Sequence, residues 1–463
     1  MTMIPPTTTA TTPLRPSAHF ASQSCWLNDP NGLVYYDGTY HLFFQTNPFG
    51  STWGNISWGH ATSTDLVTWT EQPIAIPATD QEMAFSGSAV VDSRNTAGFA
   101  ADRETALVAI YTSARPPTGD VPGLQAQSLA YSLDAGATWT RYSGNPVLDI
   151  GSSEFRDPKV FWHGGDDGNW VMVVVDAVAR KVLFYTSPNL IDWTFASDFG
   201  PAHATGGVWE CPDLFPLRVD GTGETRWVLI VSMNPGARAG GSGTQYFIGD
   251  FDGTTFVAER LSTSDDLESY DWLDYGRDYY AAVSFNNTPD GRRLMIGWAS
   301  NWDYANETPT APWRSAMSLV REISLTRDSD GRCRLRQTPI LPVRADGVTV
   351  SEHLIPLDLG QRSTIVLDTD GMGHEQVRIH FERDEAGAHL IFERGDSGLT
   401  DFHSTFAAPN RVPIGTHLES PMNVKIVVDA TVIEVFLGDG AQTVTEQVFP
   451  AAPLRSARTV RHT

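Results

Sequence analysis

The stretch STDLVTW, Ser63 to Trp69, decides the reading of the fold because it returns three more times in altered form. SLDAGATW ends at Trp139, SPNLIDW at Trp193 and DFDGTTF at Phe256. Each copy joins small polar turn formers to a closing aromatic, as a turn into an outer strand would whose last ring packs between layers. The copies end roughly 70, 54 and 63 residues apart, which suits a four-stranded propeller blade with generous loops. Between them lie short apolar runs bounded by Gly, Pro, Asn and Asp: Tyr40 to Phe44, Ala106 to Tyr111, Trp170 to Val175, Val182 to Tyr185, Trp227 to Val231 and Leu294 to Trp298. No long segment carries helical periodicity, so an all-β chain is expected. Four copies, with strand-rich sequence continuing to about Leu325, predict a five-bladed β-propeller over residues 17–336.

The pattern then changes. Pro339, Pro342 and Gly347 mark a linker over 337–348. Beyond it the apolar residues alternate cleanly: Val377, Ile379 and Phe381, then Val424, Ile426 and Val428, then Ile433, Val435 and Leu437. That is the signature of half-buried antiparallel strands, and residues 349–463 are expected to form a β-sandwich. At the other end, residues 1–16 are rich in Thr and Pro and lack the basic start and apolar core of a signal peptide, so they read as a disordered leader.

With 55 acidic residues against 32 basic ones, the 463-residue chain carries a formal charge of -23. Such a field repels nucleic acid and anionic membranes and leaves a neutral sugar unaffected, while 14 Trp and 13 Tyr offer flat faces to sugar C–H groups. Cys25, Cys211 and Cys333 stand far apart, with no disulfide framework or zinc spacing, so neither metal nor cofactor is expected. No apolar run reaches the ~20 residues of a membrane span.

Three acids sit in unusual settings: Asp29 in WLNDPNG, Asp157 in FRDPK and Glu210 in WECPD. Glycosidic hydrolysis needs two carboxyl groups across the sugar, one ionised and one protonated, and a third can hold hydroxyls as the ring flattens. Taken singly, an Asp before Pro reads first as a turn residue, and a Glu as half of an ion pair. Spacing alone does not select these three from 55 acids.

The combination does. RPSAHF (Arg15 to Phe20), WLNDPNGL (Trp26 to Leu33), FSGSAVVD (Phe85 to Asp92), GLQAQSLAYS (Gly123 to Ser132), FRDPKV (Phe155 to Val160) and WECPDLF (Trp209 to Phe215) occur in order. GGSGTQYFIGDFDG (Gly240 to Gly253), DYGRDYYAA (Asp274 to Ala282), IGWASNWDY (Ile296 to Tyr304), PTAPWRSAMS (Pro309 to Ser318) and VVDATVIEVF (Val427 to Phe436) follow. With these segments the chain resembles glycoside hydrolase family 32, the invertases, inulinases and levanases, along almost its whole length. It departs from the family pattern at Val320, where relatives carry Pro, in the run ERGDSG (Glu393 to Gly398), and in a short tail after Phe449.

The resemblance implies a five-bladed propeller with an acidic funnel, followed by a sandwich. It implies Asp29 as nucleophile, Glu210 as acid/base and Asp157 as transition-state stabiliser, with Asn28, Gln45, Trp53, Phe85, Ser86, Arg156 and Trp302 around a fructose subsite. The expected substrate is a fructan (levan or inulin) or sucrose, cut with retention and release of single fructose units. Endo-levanase action, levanbiose release and fructosyl transfer stay open on the same scaffold, because any hydroxyl can intercept a covalent intermediate. Two rivals are weighed. Ser132 to Trp139 also fits the turn box of sialidase-like propellers, but one full copy and an acidic chain argue against an anionic sugar. A silent fructan-binding protein on the same scaffold would suit a chain missing one of the three acids, and none is missing. Polymeric fructans do not enter cells, so an extracellular location is expected, with a cytoplasmic one as the alternative.

Overall fold

The computed structural model describes residues 14–101, 105–119, 122–343, 346–369 and 374–462. Residues 1–13 of the expected leader, and 344–345 of the expected linker, lie outside these. Leu14 and Arg15 are packed: Arg15 Nη2 donates to Ala21 O at 2.6 Å and its guanidinium lies 5.6 Å from the Trp313 ring.

The chain is all-β, and every apolar run named above lies in a strand. The first four strands, β1 (Trp26–Tyr36), β2 (Thr39–Asn47), β3 (Ser57–Ser63) and β4 (Thr70–Ile76), form a four-stranded antiparallel meander. A second follows in β5 (Met83–Asp92), β6 (Ala106–Arg115), β7 (Leu124–Ser132) and β8 (Thr140–Arg141). The third comprises β9 (Phe155–His163), β10 (Asn169–Asp176), β11 (Lys181–Ser187) and β12 (Thr194–Phe199), and the fourth β13 (Val208–Arg218), β14 (Thr225–Asn234), β15 (Gly243–Phe251) and β16 (Phe256–Ala258). The fifth is β17 (Tyr280–Ser284), β18 (Leu294–Trp298), β19 (Arg321–Arg327) and β20 (Cys333–Pro339), so residues 337–339 of the expected linker end a strand. First strands touch in sequence, β1 against β5, β5 against β9, β9 against β13, β13 against β17, and β17 against β1.

The four repeats occupy the turns between third and fourth strands. Ser63 Oγ donates to Asp65 Oδ1 at 2.9 Å, Ser132 Oγ to Asp134 Oδ1 at 2.8 Å and Ser187 Oγ to Asn189 Oδ1 at 3.2 Å, and the second side chain then accepts from backbone N–H groups ahead of it. In the fourth copy Asp252 takes that role. The closing rings reach across as expected at Trp139, 5.3 Å from Phe43 of the first sheet, and at Phe256, 5.4 Å from Phe199 of the third. Trp69 instead meets Phe20 of the N-terminal segment at 6.4 Å.

The C-terminal part holds two further sheets, β21 (Thr349–Ile355), β26 (Met422–Val428), β27 (Val432–Leu437) and β28 (Gln442–Gln447) in one. The other contains β22 (Arg362–Asp368), β23 (Gln376–Asp384), β24 (Gly387–Glu393), β25 (Asn410–Ile414) and β29 (Ser456–His462). Ile365, Val377, Ile379 and Phe381 from one sheet meet Val424, Ile426, Ile433 and Val435 from the other in a single core. The short tail after Phe449 supplies β29, which pairs with β22.

Buried charges join the sandwich to the preceding sheets. His19 Nδ1 lies 3.0 Å from Asp429 Oδ2 and its Nε2 3.2 Å from Glu434 Oε1. Burial opposes a charge on His19, yet these two carboxylates push its pKa up to about 9. Arg321 Nη2 donates to Glu434 Oε2 at 2.9 Å and Nη1 to Asp274 Oδ2 at 2.9 Å. Arg394, from the departing ERGDSG run, donates to Asp278 Oδ2 at 2.6 Å and to the Tyr304 hydroxyl at 2.9 Å, and pairs with Glu446 at 3.0 Å.

Candidate active site

The N-terminal ends of all five first strands meet at one place, and each strand carries one extra residue there. Register shifts fall between Leu27 and Pro30 in β1, Phe85 and Gly87 in β5, Arg156 and Lys159 in β9, Glu210 and Asp213 in β13, and Tyr280 and Val283 in β17. A bulge breaks the strict alternation of side chains, so neighbouring residues can be aimed to one side. Asp157 (φ 63), Cys211 (φ 46) and Ala281 (φ 51) adopt the left-handed region at these bulges, at a cost of about 1–2 kcal/mol each. Their N–H groups are nonetheless satisfied: Asp157 N donates to Thr112 Oγ1 at 3.0 Å, Cys211 N to Asp157 Oδ2 at 3.0 Å and Ala281 N to Ser232 Oγ at 3.1 Å.

The bulges bring the three acids together. The Cys211 thiol lies 3.6 Å from Asp29 Oδ2 and 3.7 Å from Asp157 Oδ2, so one sulfur separates two carboxylates from different sheets. Arg156 Nε donates to Glu210 Oε1 at 3.2 Å and sits 3.9 Å from Asp157 Oδ2. The Tyr280 hydroxyl donates to the other Glu210 oxygen. Ser86 Oγ donates to Asp29 Oδ2 at 2.8 Å, while Asp29 Oδ1 is buried with no hydrogen-bond partner among the described residues.

Electrostatics follow from this crowding. Burial, then the charge of Glu210, pushes the Asp29 carboxyl up to about 6, against the pull of Ser86 and its other donors. Burial also raises Asp157, with Arg156 pulling it back and the other two acids raising it further. Cys211 is buried, and burial first, then the surrounding carboxylates, push its thiol well up, so it stands between the acids as a neutral thiol and not a thiolate. Asp29, at about 6, is therefore mostly ionised at neutral pH, with Oδ2 held by Ser86.

The remaining expected residues divide. Asn28 is buried and its Oδ1 accepts from Trp26 Nε1 at 2.7 Å, beside Asp29. Gln45 is buried, with Nε2 donating to Ala84 O at 3.1 Å. Trp53 is 43% exposed and meets Phe85 edge-on at 6.1 Å, and its backbone N–H donates to Asn306 Oδ1 at 2.9 Å. Trp302 is part-buried, 5.8 Å from Trp26 and 4.9 Å from Trp298. Tyr280, Thr112 and Asn306 escaped the sequence reading, as did Gln125 and Glu154, whose oxygens accept from Arg156 Nη1 at 3.2 and 2.8 Å. Tyr280 stood within a quoted motif, but nothing in the letters joins it to Glu210.

Residues 19–339 match the glycosyl hydrolases family 32 N-terminal domain and residues 355–462 the family 32 C-terminal domain. The chain is 43% identical to a levanase of Bacillus subtilis over 94% of its own length, and spans 66% of that protein, just under two thirds. It is 40% identical to an extracellular exo-inulinase of Aspergillus niger, covering 97% of this chain and 92% of that one. The crystal structure of exo-inulinase from Aspergillus awamori superposes with a TM-score of 0.86 at 38% identity, over 97% of this chain and 96% of that one. A β-fructofuranosidase from Schwanniomyces occidentalis complexed with fructosyl-erythritol superposes at 0.84, with 31% identity, over 98% and 95%.

Proposed function

The chain belongs to glycosyl hydrolases family 32, and from that premise we propose that it is a retaining β-fructosidase that releases fructose from levan, inulin or sucrose. The observation that carries this reading is the meeting of Asp29, Asp157 and Glu210 around Cys211 and Arg156 at one end of five strands. In this reading the five meanders are blades of one propeller that closes between β17 and β1, and the last two sheets are its sandwich. The five contacts between first strands support the closure.

Asp29 attacks the anomeric carbon as the glycosidic oxygen departs with a proton from Glu210, leaving a fructosyl ester on Asp29. Water then loses a proton to Glu210 and attacks the same carbon, which frees Asp29 and fructose. Asp157 grips fructose hydroxyls as the ring flattens, Arg156 and Tyr280 hold Glu210, and Ser86 and Asn28 orient Asp29. Gln45, Phe85 and Trp53 line the fructose subsite, and Trp302 lies against the sugar at the rim. A location outside the cell follows from polymeric substrates. No helix among the described residues is long and apolar enough to cross a membrane.

The test is a time course on levan, inulin and sucrose, with early products separated by chromatography and the anomer followed by NMR. Fructose as the first product, released with retained configuration, is the expected outcome. Early oligosaccharides would replace exo by endo action, and inverted fructose would remove the covalent step.

A further inference from the structure

At the opposite end of the same first strands lies a cavity of about 560 Å³, walled by Val90 and Val91 of β5, Lys159 and Phe161 to His163 of β9, Leu214 to Pro216 of β13 and the turn after β17. That volume is in the range of small-molecule sites. Its wall holds three cations, Arg94, Lys159 and Arg293, and neither Asp nor Glu, in a chain where acids outnumber bases 55 to 32.

Two of those cations are already paired. Arg94 meets Asp166 at 2.9 Å, and Lys159 lies 3.3 Å from Asp213 Oδ2, behind the wall. Asp213 Oδ2 also accepts from Ser284 N at 2.6 Å, and its Oδ1 has no partner. Arg293 has no carboxylate oxygen within 4.0 Å among the described residues, although the charge of Asp213 still acts on it from behind the wall. Nη1 donates to Ser284 Oγ at 3.2 Å and to Phe285 O at 3.4 Å, and the guanidinium lies 4.8 Å from the Phe215 ring. Its Nε is buried with no partner. Nη1 is thus fixed and the guanidinium stacked, and Nε is sealed from solvent, which leaves Nη2, with no acceptor among the described residues, to meet an oxyanion in the cavity. Trp162, Trp170 and Trp227 complete the wall with flat apolar surface.

We propose that this cavity binds a small organic oxyanion, a phosphate monoester or carboxylate carried on a flat or cyclic body, separately from the sugar pocket. Arg293 suits the anion, and the indoles suit a flat body beside it. The proposal does not depend on the β-fructosidase reading, since binding is measured directly.

Phenyl phosphate is the probe, titrated at constant ionic strength against tryptophan fluorescence of the full chain, with inorganic phosphate and benzyl alcohol in parallel. Saturable quenching by phenyl phosphate is expected, roughly tenfold weaker for inorganic phosphate and absent for benzyl alcohol. Arg293→Met should weaken phenyl phosphate about tenfold or more, Arg293→Lys less, with release of fructose from sucrose unchanged in both. Should Arg293→Met fail to fold, Arg94→Met at the exposed rim carries the same test. Unsaturable quenching, equal affinity in the folded variants, or displacement of the probe by fructose would overturn the proposal.

Discussion

Replacing Asp29 by asparagine removes a charge that the folded chain holds at a cost. The side chain keeps its shape and its oxygen still accepts from Ser86, while the new amide takes the place of Oδ1, where its N–H groups find no acceptor among the described residues and offset part of the gain. The carboxyl rises from 3.8 to about 6 on folding. At about 1.4 kcal/mol per pKa unit this is a ceiling of roughly 3 kcal/mol, and about 2 kcal/mol remains after allowing for the solvent that a part-buried carboxylate still meets. The sign is set by proton binding: between pH 3.8 and 6 the native state holds more protons than the unfolded one, so stability falls as pH rises through that window and the loss is complete above it. Asp29→Asn should therefore unfold later than the parent at pH 7.5, by a few degrees in a thermal scan, and at the same temperature at pH 3.5. An asparagine variant no more stable at pH 7.5, or equally stabilised at both pH values, would refute the assignment of a strained carboxylate.

The same site gives three more expectations, and the domain interface a fourth. Ser86→Ala removes a charge-assisted donor, so the acid limb of kcat/KM on sucrose should move up by about one pH unit, because the proposed attack needs ionised Asp29. Glu210→Ala should lower kcat roughly 10²–10⁴-fold with an unchanged circular dichroism spectrum. Trp302→Ala should raise KM about five- to tenfold with little change in kcat, and unchanged kinetics would make the ring purely structural. His19 is protonated in the folded chain up to about pH 9 against 6.5 unfolded, so its contribution is full below 6.5 and lost as pH rises through 9. His19→Gln should thus flatten the alkaline decline of the melting temperature measured from pH 6 to 10.

The repeats were legible because each is a local device. Ser63, Asp65 and their counterparts bond within a few residues of themselves, so the turn is written where it forms. The alternation in β23, β26 and β27 was equally local, since one buried face needs every second residue apolar. The fifth meander has no such copy, and its last turn at Asp328 to Arg332 is an ordinary hairpin that the repeats did not announce. The site was legible only as motifs. What joins them is the extra residue in each first strand, and a bulge has no signature of its own when its left-handed residue is Asp157, Cys211 or Ala281 in place of glycine. The partners of Glu210 lie 54 and 70 positions away, distances at which spacing carries no information.

The seam around Arg321 and Arg394 has a bearing on how such a chain could be cut or recombined. A gene ending after β20 would leave Arg321 without Glu434, and Asp278 and Tyr304 without Arg394, opening to water a face built to be dry. Tyr304 is two positions from Trp302, so the loss would travel straight to the rim of the proposed fructose subsite. The C-terminal sheets are in this sense the back wall of the preceding five, and a chimera would have to inherit both parts from the same parent.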